Sequence, residues 1–208
     1  NMDGRLYRQE MEASFETTGN RAAYNFDRDV NVRKAEGLTS ERFIGMDMNV
    51  DYMSAVIACV YTDGTIHYYD EIRQSNSNTE AMSREMRKRW GLHPIFPDPA
   101  GKARSTTSNR SDHQILKDNG FQVIARVAHP TQKDRLSALN RMLLDAKDRV
   151  KMTIDPSCIY LIKDLEQVQR DKKGGIDKSN PELSHMLDAC SYYIEYKHPI
   201  VQRVGTSI

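Results

Sequence analysis

Apolar positions along this chain change their spacing several times, and each change marks an element. Residues 1–36 are polar and interrupted by Gly4 and Gly19, and only Arg8–Phe15 carries a short helical pattern. The texture changes at Arg42. Arg42–Val50 and Ser54–Tyr61, the second containing Ala55-Val56-Ile57-Ala58-Cys59-Val60, are apolar and rich in β-formers, as strands covered on both faces are. The Asp63-Gly64 pair within Thr62–Thr65 predicts a hairpin turn, and Ile66–Ile72 returns as a third strand.

Beyond this meander the spacing becomes helical. Asn78 is placed to cap a helix reaching Trp90, with Ala81, Met82, Met86 and Trp90 along one side. His93–Pro97 reads as a short strand ending at Asp98, residues 99–111 as a loop rich in Gly, Ser, Thr and Arg, and Asp112–Asp118 as a helix stopped by Gly120. Phe121–Ala125 predicts another strand. Lys133–Arg149 carries Leu136, Leu139, Leu143 and Leu144 at helical spacing, and Ile159–Arg170 predicts a further helix. Lys172-Lys173-Gly174-Gly175 reads as an exposed loop tip, and Pro181–Glu195 as a last helix bearing Leu183, Leu187, Cys190 and Ile194. Three hairpin-connected strands followed by alternating helices and strands predict an α/β fold, a mixed sheet with helices on its faces. The 208 residues suit one domain. It is expected over 38–199, after a linker or arm at 1–37 and before a tail at 200–208.

Composition narrows the classes. With 38% hydrophobic and 28% charged residues the chain can build a core and stay soluble, and no run approaches the ~18 apolar residues of a membrane span. The N-terminal residues lack the layout of a secretion signal. Cys59, Cys158 and Cys190 form no CxxC pair, which suits buried thiols in a reducing compartment and gives no argument for zinc. The net charge of +1 conceals an asymmetry: residues 1–100 hold 12 basic and 16 acidic side chains, and residues 102–151 hold 11 and 5. A basic middle segment suits a surface that meets phosphate, and equally an ordinary solvated face.

Three carboxylates stand where core residues are expected. Asp47 interrupts the apolar strand Ile44-Gly45-Met46-Asp47-Met48, Asp98 ends an apolar strand, and Asp188 lies on the apolar stripe of the last helix. A carboxylate in low dielectric is costly unless it is paired or bound to a metal. Singly, Asp47 suits an ion pair with Arg42, Asp98 a turn, and Asp188 an exposed helix position. Together they suit hard divalent cations, and two ions roughly 3.5–4 Å apart can activate water and steady a leaving oxygen in phosphodiester hydrolysis. His185, three residues before Asp188 on a helix, points to the same side. It suits a ligand or proton carrier, or a hydrogen bond near the helix start.

The order of these acids resembles that of ribonuclease H-like nucleases, and the local sequences resemble the nuclease domain of viral large terminase subunits. Phe43-Ile44-Gly45-Met46-Asp47-Met48-Asn49 resembles that family's first motif, Phe96-Pro97-Asp98-Pro99-Ala100-Gly101 its second, and His185-Met186-Leu187-Asp188-Ala189-Cys190-Ser191-Tyr192 its third. Tyr7–Phe15 resembles the segment leaving the ATPase domain of such proteins. Many relatives carry Gly at the position of Asn49 and an acid at that of Ser184. The resemblance implies a ribonuclease H-like fold and a DNA endonuclease of tailed bacteriophages. It implies catalysis and metal binding by Asp47, Asp98, Asp188 and His185, with Mg²⁺ or Mn²⁺ in a two-metal site.

The implied substrate is double-stranded concatemeric viral DNA, cut during packaging in the host cytoplasm. The implied partners in the full-length protein are an ATPase domain, the small terminase subunit and the portal or procapsid. Lys102, Arg104, Arg110, Lys133 and Arg135 are the candidate phosphate contacts. No GxxxxGK[ST] occurs, so no ATP hydrolysis is expected of this chain. A Holliday-junction resolvase shares the fold and acids, and a docking module with a decayed site is the non-enzymatic alternative.

Overall fold

In the computed structural model, residues 20–49, 51–103 and 110–200 are described. Strands β1 (Arg42–Asp47), β2 (Tyr52–Val60) and β3 (Ile66–Ser75) form the antiparallel meander that the apolar runs predict. Strand β4 (Ile95–Pro97) joins β1 in parallel and β5 (Met152–Ile154) joins β3 in parallel, giving the order β4-β1-β2-β3-β5. The β2–β3 turn needs its glycine: Gly64 has φ +79°, where a side chain is strained, and its N–H donates to the Tyr61 carbonyl at 2.8 Å.

Helices cover both faces, which is why the central strands are almost wholly apolar. They are α1 (Arg28–Asn31), α2 (Thr79–Trp90), α3 (Asp112–Asp118), α4 (Gln132–Leu143), α5 (Ile159–Gln167) and α6 (His185–Lys197). Side chains alternate faces along a strand. Ile44 and Met46 of β1 therefore pack in a core with Met82 and Met86 of α2 and Leu116 of α3. Phe43 instead joins the larger core, where Leu136, Leu139 and Leu143 of α4, Leu161 and Leu165 of α5, and Leu187 and Ile194 of α6 meet. Each of these fully buried side chains contributes ~1.5–3 kcal/mol. Asp47 continues the Phe43–Gly45 face, so the alternation that builds the core also aims this carboxylate toward the α6 side.

The structure departs from the sequence reading in four places. Residues 20–32 are not an arm outside the core: Ala22 and Ala23 are fully buried, and Asn31 donates to the carbonyls of Leu143 and Met152. Helix α4 stops at Leu143 rather than Arg149, because the chain turns through Asp148 at φ +55° to enter β5, a three-residue strand too short to announce itself. Phe121–Ala125 reduces to a single bridge between Val123 and Ile95. Helix α6 begins at His185 rather than Pro181, since Ser184 is left-handed at φ +78°. The expected helix at Arg8–Phe15 and residues 201–208 of the tail lie outside the described residues.

Candidate active site

The parallel pairing of β1 with β4 sets Met46 opposite Pro97, so Asp47 and Asp98 follow side by side at the ends of adjacent strands. Asp98 is fixed from several directions. Its N–H donates to the Met46 carbonyl at 2.9 Å, and its side chain caps the 3₁₀ turn Pro99–Lys102 by accepting from the Ala100 N–H at 2.8 Å. His113 Nε2 donates to its carbonyl at 2.8 Å, and His129 Nε2 lies 3.1 Å from Oδ1. Neither histidine carries a sequence signal that places it at the site; both reach Asp98 through tertiary contacts.

The third acid arrives on α6. This helix can approach β1 only because position 45 is glycine: a Cβ there would stand 2.2 Å from the Ala189 carbonyl oxygen. Asp188 and His185 lie one turn apart on the face so delivered, and both are buried. His185 Nδ1 is 3.0 Å from Asp47 Oδ2, and its Nε2 donates to the Pro181 carbonyl at 2.9 Å. Both ring nitrogens are thereby occupied in this structure, where His185 stands as the partner of Asp47. Burial pushes the Asp47 carboxyl up, and the neighbouring Asp188 adds to that push against His185 and Lys178. For His185 burial opposes the charged ring, but its contacts with Asp47 and Pro181 outweigh it and raise the pKa.

Asp188 sits between two cations. Arg135 is 2% exposed; its Nη1 lies 2.8 Å from Asp188 Oδ1 and donates to Ser191 Oγ at 2.8 Å, with the guanidinium 4.6 Å from the Tyr192 ring centroid. The Oδ1 contact is coulombic rather than a well-aligned hydrogen bond, and no hydrogen bond reaches that buried oxygen. Lys178 donates to Asp188 Oδ2 and, at 2.7 Å, to Ser184 Oγ. Arg135 was expected on the DNA-facing surface. The helical phase of α4 instead turns it inward with Leu136 and Leu139, and its charge is spent on Asp188. Lys178, three residues past the Lys172–Gly175 tip that reads as exposed, is part of the site through its bonds to Asp188 and Ser184.

The remaining candidate cations are scattered. Lys102 is exposed and donates to the Val127 carbonyl, Lys133 is exposed at the start of α4, and exposed Arg110 pairs with Asp118 at 3.0 Å. Arg104 lies outside the described residues. Much of the positive segment is neutralised internally: Arg126 pairs with Glu195, Arg149 with Asp145 and Lys151 with Asp63. A charge count along the chain therefore overstates the basic surface.

Residues 44–197 match the family model described as the terminase RNaseH-like domain. The chain belongs to this family. Its fold is correspondingly ribonuclease H-like, and solved structures agree. It is similar to the nuclease domain of the P22 large terminase (TM-score 0.63, 15% identity, 85% of this chain and 93% of that one). It is also similar to the large terminase nuclease domain of bacteriophage SPP1 with bound Mn (0.56, 15%, 80% and 97%). The third is the HK97 bacteriophage large terminase (0.51, 14%), of which 93% of this chain covers 50%. Comparison with curated proteins finds no match.

Among the described residues no three His, Cys, Asp or Glu side chains stand at metal-ligand spacing. The donor chemistry nevertheless fits a hard cation. Asp47 and Asp98 follow side by side at the strand ends, and Asp188 adds a buried carboxylate whose Oδ1 faces Arg135 and whose Oδ2 faces the half-exposed Lys178. Lys178 on Asp188 and the half-exposed His129 on Asp98 stand against these oxygens, as do the buried His185 on Asp47 and Arg135 on Asp188.

Proposed function

We propose that this domain is a divalent-metal-dependent endonuclease that cuts double-stranded viral DNA during genome packaging. The observation that carries the reading is the pair of strand-end carboxylates, Asp47 and Asp98, with Asp188 brought to them across Gly45. The relative from SPP1 is a nuclease domain with bound Mn, which supports Mg²⁺ or Mn²⁺ as the cation. A bound ion would act as a Lewis acid on a phosphate oxygen and lower the pKa of a ligated water. Asp47 and Asp98 would hold it. His185 orients Asp47 through Nδ1, Arg135 holds Asp188 in place, and Lys102 and Lys133 would meet backbone phosphates beside the site.

The whole protein, of which the HK97 relative is twice this length, would couple the domain to an ATPase domain, a small terminase subunit and a portal or procapsid in the host cytoplasm. ATP hydrolysis would reside outside this chain, which carries no GxxxxGK[ST]. The test is cleavage of supercoiled plasmid and of a synthetic four-way junction in Mg²⁺ or Mn²⁺. Linearised plasmid is expected. Cutting confined to the junction would favour a resolvase, and no cutting of either would favour a docking module.

A further inference from the structure

The two cations on Asp188 are not equivalent. Arg135 is locked in the core at 2% exposure, held by Ser191 Oγ and the Tyr192 ring, and cannot leave without unfolding its surroundings. The Lys178 side chain is 47% exposed, on a loop just beyond the Arg170–Ile176 bridge. Its four-carbon stem lets the ammonium swing into water at little cost. Where it stands, it bonds Asp188 Oδ2 and Ser184 Oγ, and its charge is also felt by Asp47 and His185. It thus occupies oxygens that a divalent ion bound at Asp188 would need.

We infer that Lys178 is a resident counter-cation competing with metal for Asp188. The site would then load one divalent ion tightly at Asp47 and Asp98, and a second at Asp188 only by expelling the lysine. This rests on the metal-dependent reading above. Ammonium and metal repel one another and share the same ligand oxygens, so each occupant excludes the other. Arg135 stays in place throughout. It keeps Asp188 compensated while Lys178 moves, so expelling the lysine does not leave a bare buried carboxylate.

The experiment is a calorimetric Mn²⁺ titration of wild type, Lys178→Met, and Lys178→Met combined with Asp188→Asn, with circular dichroism to establish that each is folded. Methionine keeps the length of the stem and removes the charge. Wild type should show one tight class of site and a second weaker by about tenfold or more. Lys178→Met should tighten the second class by about tenfold, and Asp188→Asn should abolish the gain. The Mn²⁺-induced rise in Tm should also be larger for Lys178→Met than for wild type. Superimposable isotherms for wild type and Lys178→Met would overturn the competition while leaving the metal reading intact. Absence of Mn²⁺ binding by every variant would overturn the metal reading itself, and this inference with it.

Discussion

Gly45 and Ala189 touch where no side chain fits between them: the β1 backbone lies so close to α6 that a Cβ on Gly45 would reach 2.2 Å from the Ala189 carbonyl oxygen. That contact sets the distance from Asp47, two residues on, to Asp188 on the helix. The obstructing atom is backbone, which cannot rotate away. Gly45→Ala should therefore destabilise the domain by ~1–3 kcal/mol and suppress cleavage more than stability alone explains, because α6 carries Asp188 and His185 outward. Urea unfolding and a cleavage assay at a temperature where the variant stays folded measure the two effects. Full activity in a folded Gly45→Ala would mean that the spacing of α6 from β1 does not matter to the site.

Arg135 offers a sharper test of what holds α4 against α6. Removing one partner of a buried ion pair leaves the other charge uncompensated, at a cost of ~3–5 kcal/mol. Arg135→Met should lose about that much stability, and a second change, Asp188→Asn, should recover a large part of it. If Arg135→Met costs under ~1 kcal/mol, Lys178 alone compensates Asp188 and the Arg135 pair does not hold α4 against α6.

Glu71 on β3 gives the fold a pH dependence away from Asp47, Asp98 and Asp188. Burial pushes its carboxyl up to about 7, although the N–H groups of Tyr160 and Leu161 at the start of α5 bond it and pull the other way. The folded protein holds this proton more tightly than an unfolded carboxyl titrating near 4.5 would. The stabilisation is complete below that value and is lost as pH rises toward about 7. Glu71→Gln should flatten the Tm–pH curve across that window. A slope unchanged from wild type would assign the pH dependence to another group.

How far the sequence discloses this molecule can be judged at the helix starts. Asn78 accepts the Ala81 N–H three residues on, and helix α2 begins where that cap predicts; Ser111 caps α3 in the same way. Helices α5 and α6 have no side-chain cap of their own. Glu71 from β3 receives the Tyr160 and Leu161 N–H groups, and Asp164 from α5 receives those of Met186 and Leu187. Such caps come from far along the chain, and no local pattern signals them. The site divides in the same way. Asp47, Asp98 and Asp188 betray themselves as acids in apolar runs, whereas Lys178, His113 and His129 enter only through tertiary contacts. Arg135 shows the converse error, since a cation beside a helix start reads as surface until the helix is packed.

Lys102 and Lys133 remain as exposed cations of the middle segment. Each phosphate neutralised on B-DNA contributes roughly −0.9 to the log–log dependence of affinity on salt. Replacing both lysines by Ala should weaken binding alike for unrelated duplexes and make the slope shallower by about two units. A salt titration in Ca²⁺, chosen to hold off cleavage, reads this directly. Curves that coincide with wild type would move the DNA to another face.

Plasmid cleavage by matched proteins tests most directly whether Asp47, Asp98 and Asp188 form a metal-dependent nuclease centre. Wild type, Asp47→Asn, Asp98→Asn and Asp188→Asn are compared in Mn²⁺, in Mg²⁺ and with chelator, each variant first shown to be folded. Wild type should linearise and then degrade the plasmid with either metal and do nothing with chelator. The three variants should each be nearly inactive, and Asp47→Asn should unfold no earlier than wild type without metal, because it removes a buried charge facing Asp188. Cleavage that persists in chelator, or a folded Asp47→Asn that cuts at the wild-type rate, would contradict the account.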